Sequence, residues 1–534
     1  MVEYARMRPI ATDTADFPKL REKGCIYVDK TMFMHRMVSD VGTNLFFISR
    51  PRRFGKSLTL SALKALFSGR REQFEGLYIG GTDWKWEKYP VIHFEFNDVT
   101  TTSIGDFEVS FIEHVRERLE GAGFTYDRSL PPPENFGQAI KVLSAANGGK
   151  GVVILIDEYD APVGHALGDL DMAEAIRDRM SAFYSRMKNR TGDIRFLLMT
   201  GVSKFTRLSV FSALSNLVDV TLDEAYATMF GYTEDELTAN FEEHLREHAA
   251  IMGKSYVGYR AELKRWYNGF RFSPDDETTV YNPISIALTL RKKDKSGFNA
   301  TWATTGRPSM LMNYLRREDM LRIDPEATQK VRAEMFDVAE LRRLRPIPML
   351  YQSGYLTIKD YKDQRFTLGV PDEEVRQDLC MLMTGVAANQ DTYWASELGC
   401  RLLDAEWGYF FDGLKSLYAA MAYGSTEKSV HENSYGRCLS FLLASCGFRF
   451  KMESEQSNGR ADVVAERSTM ICIFELKVDE PVDHAFAQIR EKNYAAPYLA
   501  DGRPIWLIGL SFDSKTRHLA DCAAEPYGAS DFLR

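Results

Sequence analysis

Phe46-Phe-Ile-Ser-Arg-Pro-Arg-Arg-Phe-Gly-Lys-Ser57 and Val152-Val-Ile-Leu-Ile-Asp-Glu-Tyr-Asp160 decide the fold. In the first stretch an apolar strand runs into a loop that ends in Gly55-Lys56-Ser57. Helical SLTLSALKALF follows from Ser57. Backbone N–H groups of such a loop, with the helix N-terminus, can wrap phosphate oxygens. Lys56 can reach the outer phosphates and the Ser57 hydroxyl can ligate Mg²⁺, while Gly55 leaves room for close backbone approach. The stretch matches G-x-x-x-x-G-K-[ST] except that Arg50 stands at the first glycine.

The second stretch is continuously apolar, as a strand covered on both faces should be, and ends in Asp157 and Glu158. That is the place for a carboxylate that holds Mg²⁺, followed by one that orients or deprotonates the attacking water. One further strand, VIHFEF from Val91 to Phe96, lies between the two stretches in sequence. This favours the class of ATPases with a catalytic glutamate after the aspartate. The strand IRFLLMTGV from Ile194 to Val202 places Thr200 and Ser203 near the same edge, as γ-phosphate sensors or as capping hydroxyls. Arg52 and Arg53 contact phosphate or a neighbouring subunit, or stay solvated, and Arg207 is a candidate arginine finger. The expected ATP-binding set is therefore Arg52, Arg53, Phe54, Gly55, Lys56, Ser57, Leu58, Asp157 and Thr200, with Glu158 catalytic and Ser57 and Asp157 on Mg²⁺.

Outward from these strands, VDVTL at Val218–Leu222 reads as a fifth, and the strand–helix alternation predicts a parallel α/β sheet over residues 1–228. Residues 229–370 read as mainly helical, closed by a hairpin, LTIKDY-KDQ-RFTLGV, in the manner of a lid and a winged-helix-like unit. A helical connector follows over 371–425. Residues 426–534 read as helix, three strands, helix and strand.

In that last segment Phe474-Glu-Leu-Lys477 lies on a strand, so Glu475 and Lys477 share a face. Asp462 on the preceding strand can join them across a hairpin. Two carboxylates and a lysine suit Mg²⁺-dependent phosphodiester hydrolysis. Glu432 is a candidate further metal ligand beside Asp462 and Glu475, and Gln488 a candidate to orient water or the lysine. A lone E-x-K is also common on solvated strands.

IYVDKT at Ile26–Thr31, RPRRFGKS, LIDEYDAP, WYNGFRF at Trp266–Phe272, VYNPISI at Val280–Ile286 and LYQSGYLTIKDY at Leu350–Tyr361 together resemble one bacterial family. It is the AAA-ATPase-like family with a C-terminal PD-(D/E)XK nuclease-like domain. The resemblance spans nearly the whole chain. It implies a P-loop NTPase sheet, a helical and winged-helix middle and a restriction-endonuclease-like α/β end. In that family arginine commonly replaces the first loop glycine. The resemblance carries Asp462, Glu475 and Lys477 directly, and Glu432 and Gln488 with them. Ala461 stands where the name-giving proline would be, a variation the superfamily tolerates.

Composition sets the frame. The 534 residues are 45% hydrophobic and 27% charged, with a net charge of −8. Nucleic-acid contact would therefore be local, and basic LRKKDK from Leu290 and ELRRLRP from Glu340 are candidates for it or ordinary solvated faces. Seven scattered cysteines without a CxxC pair argue against disulfides and structural zinc and suit a reducing cytoplasm. No secretory signal or membrane span is read. The expected partners are ATP, Mg²⁺ and nucleic acid, DNA before RNA, with homo-oligomerisation open. The competing reading is a nucleotide-switched signalling or scaffold ATPase whose nuclease fold only binds.

Overall fold

In the computed structural model of the chain, residues 7–12, 14–204, 216–295, 297–302, 311, 328–332, 341–343, 345–388, 390, 392–424, 432–456 and 459–528 are described. The apolar runs form five parallel strands: β1 (Leu45–Ser49), β2 (Val91–Glu95), β3 (Val152–Asp157), β4 (Ile194–Gly201) and β5 (Val218–Asp219). Their order is β2-β3-β4-β1-β5. Strands β1 and β3 are buried along their whole length, as their unbroken apolar sequence requires. Strand β4 lies between them, so the ends of β1 and β3 face one edge across the tip of β4. The fifth strand is shorter than its sequence suggests. The Thr221 N–H turns onto the Asp219 side chain at 2.9 Å, and the Thr221 hydroxyl accepts from Ser49 N–H at 3.0 Å, which ends the ladder.

The helices Glu234–Ile251, Tyr256–Tyr267 and Pro283–Leu290 share a core with Ile26 and Val28. This explains IYVDKT. The Asp29 carboxylate accepts from Thr31 N–H at 2.8 Å, starting the helix Thr31–Val38, and Lys30 Nζ meets Glu236 at 2.6 Å. Asn282 likewise caps its helix through the N–H groups of Ile284 and Ser285. Within WYNGFRF, Gly269 has φ 153°, and a Cβ there would lie 2.0 Å from the carbonyl oxygen of Pro371.

The short strands β6 (Asn268–Phe270) and β7 (Val280–Tyr281) pair with each other. The hairpin read from sequence is present as β9 (Thr357–Lys362) and β10 (Arg365–Gly369). Its two turn residues, Asp363 and Gln364, have φ of 51° and 58°, the signature of a tight primed turn. A strand without a sequence signal, β8 (Gln329–Arg332), completes a three-stranded sheet in the order β8-β10-β9. Described residues up to Glu373 form one compact unit, to which both 1–228 and 229–370 contribute.

The described residues from Glu374 form a second unit. Its sheet runs β11 (Arg449–Gln456), β12 (Gly459–Arg467), β13 (Met470–Val478), β14 (Ile505–Phe512), β15 (Leu519–Pro526), in that order. The first three are antiparallel, and β14 joins β13 in parallel after the helix Val482–Glu491. Period-two alternation splits β13. Cys472, Phe474 and Leu476 face one core with the helix Glu432–Ser445, whereas Ile471 and Ile473 face the helix Val482–Glu491. The last strand, β15, was not anticipated from sequence. Among the described residues no helix is long and apolar enough to cross a membrane.

The Gly269 geometry predicts that Gly269→Ala costs about 2–5 kcal/mol, from backbone strain and overlap together. Chemical denaturation checks this; an unchanged midpoint would contradict the packing.

Candidate functional site

The loop after β1 works without its first glycine because that position needs no glycine geometry. The left-handed residues are Arg53, at φ 68°, and Gly55, at φ 98°. The side chain of Arg50 turns into the core instead and is 1% exposed. Its guanidinium donates to the carbonyls of Ser49 at 2.9 Å and Thr221 at 2.6 Å, and lies 4.4 Å from the centre of the Phe272 ring. Burial pulls its pKa down to about 10. Phe54 is also buried and packs against Phe270 at 4.8 Å and Phe272 at 5.2 Å. The ring of Phe54, expected as a cofactor contact, anchors the loop to WYNGFRF, and the residue also lines the cavity beside the loop. Gly354 of LYQSGYLTIKDY supports the same loop, since a Cβ there would come within 2.7 Å of Pro51.

Lys56 begins the helix Lys56–Phe67. Its ammonium is buried and donates to the carbonyls of Arg50 and Pro51, each at 2.9 Å. Burial lowers its pKa, while Asp157, Glu158 and Asp160 oppose that fall. A cavity of about 510 Å³ opens beside it. Arg52, Arg53, Phe54, Gly55, Lys56, Ser57, Leu58 and Glu158 line it. Ile10, Ile26, Met229, Tyr232, Phe241 and Ile284 add apolar lining. This size and mixed lining suit a nucleotide. The apolar lining was not foreseen, because its residues come from segments far apart in sequence and share no motif.

At the end of β3 the acids divide their tasks. Asp157 is buried and accepts from the Thr200 hydroxyl at 2.6 Å and from Glu158 N–H at 3.0 Å. Thr200 is fully buried behind Asp157, so it supports that carboxylate where a direct nucleotide contact was expected. Ser203 is spent similarly. Its N–H and hydroxyl both bind Asp160, at 2.7 and 2.5 Å. Asp160, which sequence reasoning left without a role, is thus the clamp between the ends of β3 and β4. Glu158 stands apart with φ 49°, and its Oε2 is buried and accepts no hydrogen bond. Burial raises its pKa, and Asp157 and Asp160 add to the rise against Lys56. A left-handed backbone at a non-glycine residue and a buried carboxylate oxygen without a donor both cost energy. Arg207 lies outside the described residues.

In the second unit, the face of β13 that meets the helix Val482–Glu491 carries Glu475 and Lys477. Lys477 Nζ donates to Glu475 Oε1 at 2.9 Å and to Gln488 Oε1 at 2.7 Å. The amide of Gln488 in turn donates to the Tyr494 hydroxyl at 3.3 Å. Val463 pairs with Phe474, and the register continued by one residue sets Asp462 beside Glu475. Asp462 Oδ2 accepts from Leu476 N–H at 2.7 Å. Glu475 is 1% exposed, and its Oε2 accepts no hydrogen bond. Burial, with Asp462 adding to it, raises its pKa to about 7 against the pull of Lys477. A buried carboxylate oxygen with no donor, next to a second carboxylate, fits a divalent cation. Glu432 begins its helix, but its side chain lies outside the described residues. Among the described residues no group of three or more His, Cys, Asp or Glu gathers about one point.

Comparison with known proteins gives the same division. The family described as Predicted AAA-ATPase matches residues 9–211, and the PD-(D/E)XK nuclease superfamily matches residues 430–521. An uncharacterized protein in the vnfD 5' region of Azotobacter chroococcum mcd 1 is 31% identical, over 97% of this chain and 99% of that protein. With a P-loop sheet in the first unit and the acid–lysine strand in the second, the chain belongs to the predicted AAA-ATPase-like family that carries a C-terminal PD-(D/E)XK nuclease domain.

Proposed function

We propose that the chain binds and hydrolyses ATP in the first unit and cuts nucleic acid, DNA before RNA, in the second, with nucleotide state controlling the cut. One observation carries this reading. Each unit buries a carboxylate oxygen without a hydrogen bond, on Glu158 and on Glu475, beside a lysine that its charge can balance.

In the first unit the loop N–H groups and Lys56 bind the phosphates, and the apolar lining of the cavity takes the base. Ser57 and Asp157 would hold Mg²⁺, with Thr200 and Asp160 keeping the acids in place. Glu158 orients the attacking water and accepts its proton, for which a raised pKa is suited. In the second unit Asp462 and Glu475 would hold the metal, with Glu432 as a further ligand. Lys477, steadied by Gln488, faces the developing negative charge. Bound Mg²⁺ supplies charge neutralisation and polarises phosphate and water in both places. A role in defence or mobile-element processing would suit such a pairing.

Three outcomes test this. Lys56→Ala should weaken ATP binding at least about tenfold by calorimetry, because a charge-assisted contact is lost. Glu158→Gln should keep ATP affinity and slow turnover about a hundredfold or more. Equal turnover would reduce Glu158 to a structural charge.

Glu475→Gln keeps the side-chain shape and should abolish metal-dependent cleavage of labelled DNA while ATP hydrolysis persists. If the parent cuts neither DNA nor RNA with Mg²⁺ or Mn²⁺, with or without ATP, the second unit is a binding module.

The Glu475 pKa of about 7 gives a pH dependence. A cation must displace its proton at lower pH. Mn²⁺ affinity of the second unit should therefore fall as pH drops below about 7, by up to about tenfold per unit. A flat titration profile between pH values of about 5 and 7 would contradict the assignment.

A further inference from the structure

The three-stranded sheet β8-β10-β9 carries a charge pattern that neither site uses. Its register sets Arg332 opposite Arg365, and Arg365 opposite Lys362, so three cations form one row across three strands. Two residues along, Lys330 faces Thr367, which faces Asp360. The intervening positions point the other way. Val331 and Phe366 are buried, and the ring of Tyr361 packs on Phe366 at 4.6 Å. Lys330, Arg332, Lys362 and Arg365 are all exposed.

Like charges directly opposite one another destabilise a sheet. In the two basic stretches singled out from sequence, Lys293 pairs with Glu247 at 2.8 Å, and Arg342 pairs with Asp171 and with Glu174 at 3.2 Å. Lys330, Arg332, Lys362 and Arg365 form no ion pair or side-chain hydrogen bond among the described residues. Among the described residues Asp360 is the acid on this face, with Asp363 at the turn, and Asp360 already accepts from Tyr361 N–H at 2.9 Å. The face thus stays net positive on a chain whose overall charge is −8.

We propose that this sheet face binds the phosphate backbone of nucleic acid, so that the first unit grips the strand the second unit cuts. The idea rests on the proposed function for its choice of ligand. Strands about 4.8 Å apart put the ends of the row about 10 Å apart, enough to engage more than one phosphate. Two of the three row residues are arginines, whose planar fork matches phosphate oxygens. A repeating array of phosphates suits such a row better than scattered carboxylates do.

The test uses the full chain and a short fluorescent DNA duplex, with binding measured across a salt series. The comparison is between parent, the triple variant Arg332→Gln, Lys362→Gln, Arg365→Gln, and the control Lys141→Gln. The triple variant should bind at least about tenfold more weakly, with the salt slope reduced by about one per side chain. Its thermal midpoint should not fall, because like-charge repulsion is removed, and its ATP hydrolysis should persist. Lys141→Gln, which removes an exposed cation on the helix Pro132–Ala146, should bind as the parent does. Unchanged affinity and slope in the triple variant would overturn the proposal, even if the parent cleaves DNA. So would failure of the parent to bind, or equally tight binding of polyglutamate through the same residues. If the parent binds through this face but cuts nothing, the face stands and the nuclease reading falls.

Discussion

The burial of Lys56 is the constraint on which the first unit depends. An ammonium removed from water must be matched by carbonyls and carboxylates or the fold loses several kcal/mol. Here the carbonyls come from Arg50 and Pro51, and the charge comes from Asp157, Glu158 and Asp160 at the end of β3. Those acids reach the loop only because β4 lies between β1 and β3 and presents Thr200 and Ser203 to hold two of them. Glu158 is the acid left over. Its backbone strain is tolerated because its neighbours fix it on both sides.

The replacement of the first loop glycine by Arg50 follows from the same economy of buried charge. The guanidinium leaves the phosphate side and ties β1 to the chain after β5 through carbonyls and the Phe272 ring. WYNGFRF is therefore part of the loop's support, through Phe270 and Phe272 on Phe54. The second unit repeats the logic on a smaller scale. Lys477 is shared between Glu475 and Gln488, and one Glu475 oxygen stays without a donor. In both places a lysine lies near a carboxylate that keeps one buried oxygen without a donor.

Much of this was legible in the sequence because period and local chemistry agree there. The apolar runs of β1 and β3 read as covered strands, and alternation in FELK put Glu475 and Lys477 on one face. The hairpin turn was readable because Asp363 and Gln364 sit between two strand-like runs. Other features were not readable. Strands β8 and β15 carry no clear period, and pairing partners alone define them. The apolar lining of the cavity comes in part from Ile10, Ile26, Tyr232 and Ile284, which no local pattern connects. Phe54 and Thr200 fall within motifs, but which way a motif residue faces is decided by packing. Asp160 was passed over for a similar reason, since its partners lie on a different strand.

The central claim is that one chain joins a nucleotide site to a phosphodiester-cleaving site and makes the second answer to the first. Single-turnover cleavage of labelled DNA tests it most directly, run with Mg²⁺ alone, with ATP, and with a non-hydrolysable ATP analogue. The account predicts that cleavage changes at least about tenfold between the nucleotide-free and analogue-bound protein, a coupling of about 1.4 kcal/mol or more. Cleavage at one rate in all three conditions would contradict it.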